Sequence, residues 1–267
     1  MTIQLSELNP EIPYNLHSHT QFCDGRAPME EFAAAAAAVG FSHYAFTPHS
    51  PVPIESPCNM SRDDVPAFLA EVERLRAAYG SKVKFLSGME VDYLSEEWGP
   101  ANPYFASLGL DVVIGSVHFI PNQHGEMIDI DGRFERFKRN LDDKFGGDIR
   151  YVVDTFYDQS LAMVRAGGFD IIGHFDKVGH NASLYHPGIE DESWYQARVA
   201  QLIDAIEESG VIVEINTKAY SDYGRFFPAR RYWSELKRRG IPMVVNSDAH
   251  RPELIDASRL TALTLLQ

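Results

Sequence analysis

Short apolar runs alternate with longer amphipathic stretches along almost the whole chain. Tyr14–Thr20 reads as a first strand. Pro28 then opens a helix through the Ala33–Ala38 run, and Gly40 stops it, with proline at the start and glycine at the finish. Tyr44–Pro48 is a second strand, followed by a loop that Pro51, Pro53 and Pro57 keep irregular. Ser61 with Asp64 three residues on is a capping signature. The helix behind it runs to Tyr79, with Val65, Phe68, Leu69, Val72, Leu75 and Ala78 near helical spacing. Val83–Val91 and Asp111–Phe119 are the third and fourth strands. Residues 120–147 mix acids and bases and read as a loop with a short helix. A helix over Tyr151–Ala166, a fifth strand over Asp170–Phe175 and a helix over Trp194–Glu208 follow. The sixth strand is Val211–Thr217, a helix covers Arg230–Arg239, the seventh strand is Pro242–His250, and Pro252–Gln267 forms a final partial helix.

Strands that alternate with helices require parallel pairing through crossover connections, an α/β architecture. Polar residues fall at the C-terminal ends of the strands, where barrel enzymes place their chemistry. An open doubly wound sheet would gather its site at one switch point, and neither a Gly-x-Gly-x-x-Gly turn nor a Walker loop is present. Seven strands in 267 residues fit a barrel, read as a single domain over 1–267 with no repeat and no linker.

Charge narrows the partners. With 38 acidic against 24 basic residues the formal net charge is −14, which argues against binding long nucleic acid and leaves room for a small anionic substrate. Cys23 and Cys58 make no disulfide framework. Met1–Pro13 has neither the basic nor the apolar segment of a signal peptide, and the Phe32–Val39 run is too short for a bilayer. A cytoplasmic protein with no membrane partner is expected.

The histidines carry the chemistry. His17 and His19 lie two residues apart in a strand, so both rings face one way. Singly, each such residue would pass for a hydrogen-bonded surface imidazole. Collected by strand, however, the set is His17, His19 and Asp24, then His49, Glu90, His118, His174, Asp248 and His250. Six of the ten histidines therefore stand at or just beyond strand ends, where chance would scatter them. Imidazole and carboxylate donors without thiolate suit zinc, manganese or iron rather than calcium or magnesium. Nine donors exceed one tetrahedral ion and suffice for two or three if a carboxylate bridges. Clustered divalent ions activate water and hold phosphoryl oxygens. No Ser–His–Asp elbow and no activated cysteine competes.

His-Ser-His-Thr at 17–20, Thr-Pro-His-Ser at 47–50, Gly-Met-Glu-Val-Asp-Tyr at 88–93, Gly-Ser-Val-His at 115–118, Gly-His-Phe-Asp at 173–176 and Asn-Ser-Asp-Ala-His at 246–250 resemble, in order, the motifs of the PHP (polymerase and histidinol phosphatase) superfamily. Its monofunctional histidinol-phosphate phosphatases are the most similar branch, through Asn59-Met60-Ser61, Leu75–Tyr79 and Ile128-Asp129.

The resemblance implies a distorted TIM-like (β/α)7 barrel with three divalent ions, whether zinc, manganese or iron. His17, His19, Glu90 and Asp248 would hold the first. Glu90 would bridge to a second on His118 and His174, and Asp24, His49 and His250 would hold the third. Glu90, Asp248 and His250 would be the catalytic members of this set. Lys177 and Arg225 would bind the substrate's phosphate, with Lys218 and Arg230 behind them; Tyr220 and Tyr223 could line the pocket. Asp92 would orient a ligand rather than bind metal. Two departures stand out: the loop Lys218–Arg225 is longer than in relatives, and the chain ends soon after Leu260.

The implied reaction is metal-dependent hydrolysis of L-histidinol phosphate, a small phosphate monoester of histidine biosynthesis. The alternatives are a PHP phosphoesterase acting on nucleotides or short oligonucleotides, a non-catalytic metal-binding module, and a single-metal amidohydrolase. The last usually needs a bridging lysine on a middle strand, which the motifs do not place here.

Overall fold

The computed structural model describes Leu8 and residues 12–267, so most of the N-terminal segment read for a leader lies outside the described residues. In chain order the elements are β1 (Tyr14–Asn15), α1 (Met29–Val39), β2 (His43–Phe46), α2 (Val65–Tyr79), β3 (Lys84–Asp92), α3 (Pro103–Ser107) and β4 (Val112–Ser116). Next come β5 (Phe119–Pro121), β6 (Met127–Asp129), α4 (Phe134–Phe145), α5 (Ile149–Ala166), β7 (Ile171–Ile172), α6 (Val178–Tyr185) and α7 (Ser193–Ser209). β8 (Ile212–Asn216), α8 (Tyr220–Tyr223), α9 (Trp233–Arg238), β9 (Met243–Asn246) and α10 (Arg259–Leu266) complete the fold.

Seven strands pair in the order β1-β2-β3-β4-β7-β8-β9, every neighbour parallel. The sheet nearly closes on itself. At the β9–β1 seam, Asn15 Oδ1 accepts from the Ser247 N–H at 2.8 Å and Asn246 Oδ1 accepts from the Leu16 N–H at 2.9 Å. The His19 N–H then donates to the Ala249 carbonyl at 2.8 Å. Side-chain amides thus stand in for ladder bonds where the strands diverge, which is the distortion of this barrel. Tyr14, Ala45, Leu86, Val112, Ile114, Ile171, Ile212 and Val244 form one buried cluster. A cluster drawing on all seven barrel strands can only be the barrel interior, so the lower half is a packed core and not a pore.

Helices pack outside. Phe32, Phe68, Val72 and Leu75 from α1 and α2 meet Phe46, Phe85 and Met89 in a second cluster. A third, around α4, α5 and α7, is built on residues such as Phe137, Phe156, Tyr195 and Leu202. Among the described residues no helix is long and apolar enough to cross a membrane.

Several strands are shorter than their apolar runs. The expected strand Tyr14–Thr20 keeps ladder pairing only at Tyr14–Asn15, and Asp170–Phe175 only at Ile171–Ile172. The residues beyond leave the ladder to face the barrel mouth. Residues 120–147 hold more structure than expected: an antiparallel hairpin of β5 and β6, and the twelve-residue helix α4. Phe137, Leu141 and Phe145 give α4 one buried stripe, which its many charges obscure in the sequence. α6 was also not foreseen; it begins directly behind the His174 turn.

Candidate metal centre

All nine candidate ligands reach the mouth of the barrel. Past β1, Ser18 bridges Ala249 in parallel fashion, so the chain stays extended and the alternation predicted for His17 and His19 holds. Their Nε2 atoms lie 3.3 Å apart. The turn after them brings Asp24 back, with its Oδ1 3.6 Å from His19 Nδ1. That turn needs Gly25, where a Cβ would lie 2.3 Å from the Thr20 nitrogen. His49 is delivered by continued pairing beyond β2, the Ser50 N–H donating to the Glu90 carbonyl at 2.8 Å. His174 and Asp248 sit at φ 22° and 49°, conformations that are costly for residues with a Cβ.

Glu90 stands at the centre, 1 % exposed. Its Oε1 lies 2.9 Å from His174 Nε2 and 3.4 Å from His118 Nε2. Its Oε2 lies 3.1 Å from His49 Nδ1, 3.3 Å from His17 Nε2 and 3.5 Å from His19 Nε2. One carboxylate therefore turns each oxygen to a different group of imidazoles. Asp248 Oδ1 is 3.0 Å from His19 Nε2, and His250 Nε2 is 3.3 Å from Asp24 Oδ1.

These donors form overlapping groups whose ligand atoms lie within 4.8 Å of one another: His17, His19 and Asp248; Glu90, His118 and His174; and His19, Asp24, His49 and His250. The last adds His19 to the trio expected there. A further group joins His49, Asp92 and His118. Asp24 Oδ1 and His49 Nδ1 are buried without a partner in hydrogen-bond geometry, although His49 Nδ1 approaches Glu90. Buried polar atoms are seldom left so. Ring nitrogens facing one another at 3.3 and 3.4 Å, with carboxylate oxygens between them, are a donor set suited to divalent metal.

A protein-family model described as the PHP domain matches residues 15–218. The chain belongs to the PHP domain family. It is 26% identical over 254 residues to the histidinol-phosphatase of Bacillus subtilis, covering 88% of this chain and 92% of that one. Among solved structures, a protein of Listeria monocytogenes assigned to the histidinol phosphatases superposes with a TM-score of 0.82 at 19% identity, over 93% of this chain and 99% of that one. A histidinol phosphate phosphatase of Lactococcus lactis, complexed with zinc, L-histidinol and phosphate, superposes with a TM-score of 0.66 at 20% identity, over 95% and 92%. The PHP barrel expected from the motifs is the fold observed.

Behind the donors of this PHP centre lie carboxylates that set ring orientation. Asp92 Oδ1 lies 2.7 Å from His118 Nδ1, a contact that orients the ring, and its Oδ2 accepts from Asn59 Nδ2 at 2.9 Å. Burial opposes charge on His118, but Asp92 and Glu90 outweigh it and hold its pKa at about 9 in the metal-free chain. For His17 burial is likewise opposed and outweighed, here by Glu214, Glu90 and Asp248. Glu214 Oε1 lies 2.7 Å from His17 Nδ1, and sequence reasoning missed it. The signal was an acid inside the apolar run Ile212-Val-Glu-Ile215, which only a buried partner explains.

The cations divide by what they touch. Lys177 Nζ donates to Asp131 Oδ2 at 2.7 Å, and Asp131 was also missed. Burial works against the Lys177 charge, but Asp131 first, then Asp248 and Glu90, hold the ammonium protonated; these carboxylates place it beside the donor cluster. Lys218 Nζ lies 3.3 Å from Asp248 Oδ1 and 3.2 Å from His250 Nε2. Arg225 instead grips Glu190 with both arms, at 2.7 and 2.9 Å, and reaches Asp176 at 3.3 Å. Arg230 is exposed in the turn Arg230–Tyr232. Tyr220 stacks on Phe226 and Tyr223 lies against His180.

Proposed function

We propose that the chain is a metal-dependent phosphatase that hydrolyses L-histidinol phosphate to L-histidinol and phosphate, the place in histidine biosynthesis that its histidinol-phosphatase relatives suggest. The observation that carries the reading is Glu90, one buried carboxylate shared between two groups of imidazoles. Such a residue suits a cluster of ions and has little use in a single-metal or metal-free site.

His17, His19, Glu90 and Asp248 would hold one ion, Glu90, His118 and His174 a second, and Asp24, His49 and His250 a third, with zinc, manganese or iron as the fitting metals. Divalent ions held there supply an activated water for in-line attack on phosphorus and positive charge for the phosphoryl oxygens. The chain's own residues do the rest. Glu90, Asp248 and His250 fix the spacing of the cluster. Lys177 adds a fixed cation at its edge, positioned for a phosphoryl oxygen where charge develops. Lys218, beside Asp248 and His250, is a second such cation. Arg225, whose fork is taken by Glu190, supports the phosphate side by bracing Asp176 and the turn behind His174.

Phosphate release from L-histidinol phosphate, nucleoside monophosphates, a dinucleotide and p-nitrophenyl phosphate, each with manganese or zinc, tests the reading. The expected result is a kcat/KM for L-histidinol phosphate orders of magnitude above the others, lost on chelation and restored by metal. Equal rates across the panel would remove the substrate assignment and keep the phosphatase. Turnover that survives complete chelation would remove both.

A further inference from the structure

Glu214 lies on β8 with no exposed surface. Its two oxygens meet four donors. Oε1 accepts from His17 Nδ1 at 2.7 Å and from Asn246 Nδ2 at 3.0 Å. Oε2 accepts from the His174 backbone N–H at 3.2 Å and from Asn216 Nδ2 at 3.1 Å. A carboxylate offers about four lone-pair sites, and all are used, so Glu214 has none left for an ion of its own.

The four bonds reach two different ion positions. Because a carboxylate only accepts, the His17 proton must sit on Nδ1, which leaves Nε2 as the donor facing Glu90 and Asp248. At the other oxygen, the bond to the His174 N–H holds a backbone at φ 22°, a conformation that persists only when its surroundings impose it. That backbone sets where the His174 ring meets Glu90 and His118. Asn216, bound to Glu214, also donates to Asp248 Oδ2 at 3.0 Å.

We infer that Glu214 is a positioning residue that couples two neighbouring ion sites, by fixing the tautomer of His17 in one and the backbone of His174 in the other. The inference rests on the metal-centre reading above. It makes loss of one carboxylate weaken two ions together, while the ion at Asp24, His49 and His250, which Glu214 does not touch, is spared. Glu214→Ala is the informative change. Glutamine would keep one acceptor and so break only one arm, whereas alanine takes the acceptor from His17 and from the His174 N–H together.

The test is a zinc titration of the full chain with 15N-labelled histidine, following the imidazole nitrogens by NMR. In Glu214→Ala the His17 and His174 signals are expected to need about 10- to 100-fold more zinc than in the wild type, the usual range for losing a partner behind a ligand. His250 should titrate unchanged. If both histidines respond at wild-type zinc, or only His17 is weakened, the coupling is overturned. Should the variant not fold, the zinc-loaded wild type decides: a protonated, slowly exchanging His17 Nδ1 supports the assignment, and metal on Nδ1 overturns it. No response of His17 and His174 to zinc in the wild type would instead remove the metal centre itself, and this inference with it.

Discussion

Lys177 Nζ and Asp131 Oδ2 lie 2.7 Å apart at the edge of the donor cluster, the lysine 18% and the aspartate 26% exposed. The contact joins the first residue after the His174-Phe-Asp turn to the residue pair that follows the β5–β6 hairpin. It holds a flexible ammonium in one place, which a cation that meets a transferring phosphoryl group requires.

Lys177→Ala should therefore lower kcat/KM on L-histidinol phosphate by about 10²-fold or more, the scale of removing one preorganised donor. Asp131→Ala, which keeps the lysine and frees it, should cost less in rate. It should also cost about 1.5–3 kcal/mol in stability, as for a lost hydrogen bond to a charged group. Steady-state kinetics with urea unfolding separates the two, and a Lys177→Ala enzyme within twofold of wild type would end the role given to this lysine.

Glu90 faces imidazoles with both oxygens, and among the described residues no other carboxylate faces both groups of rings as it does. Glu90→Ala should cut the metal content by more than one ion per chain, read by elemental analysis after equilibrium dialysis. His250→Ala, at the edge of the cluster, should cost one ion at most.

Metal loading should release protons. His118, held at about 9 in the metal-free chain, carries a proton at neutral pH that an ion on Nε2 has to displace. His17 is raised in the same way by its three carboxylates. Raised histidine pKa values keep the free rings protonated below them, so metal affinity should climb as pH rises from about 6 towards 9. Calorimetric titration in buffers of different ionisation enthalpy measures the protons released; a heat that does not change with buffer would contradict this.

Arg225 and Glu190 form a forked pair, 15% and 10% exposed. Arg225→Ala strands Glu190 beside Asp176 and should destabilise the fold by about 3–5 kcal/mol, as for breaking a buried pair. Arg225→Lys keeps the charge without the fork and should recover only part of it. Thermal melts with and without substrate would show it. If Arg225→Ala melts as the wild type but loses KM for phosphate esters, the arginine contacts substrate after all.

The chain by itself determined the architecture and the donor list. Alternating apolar runs and amphipathic stretches dictate parallel strands with crossovers, and residues at strand ends must gather at one mouth once such a sheet curls. His17 and His19 face together because a strand has period two, a local fact. Only the tertiary structure decided what stands behind and beside those donors. Glu214 and Asp131 are single acids whose partners lie 197 and 46 positions away in sequence, and no local period reports such a distance. The left-handed backbone of His174 was likewise invisible, because a carboxylate from another strand, Glu214, holds its N–H. The same holds for Arg225: its sequence shows a cation on a loop near the site, and only the fold shows that Glu190 already occupies its guanidinium, since charge is local and pairing is not.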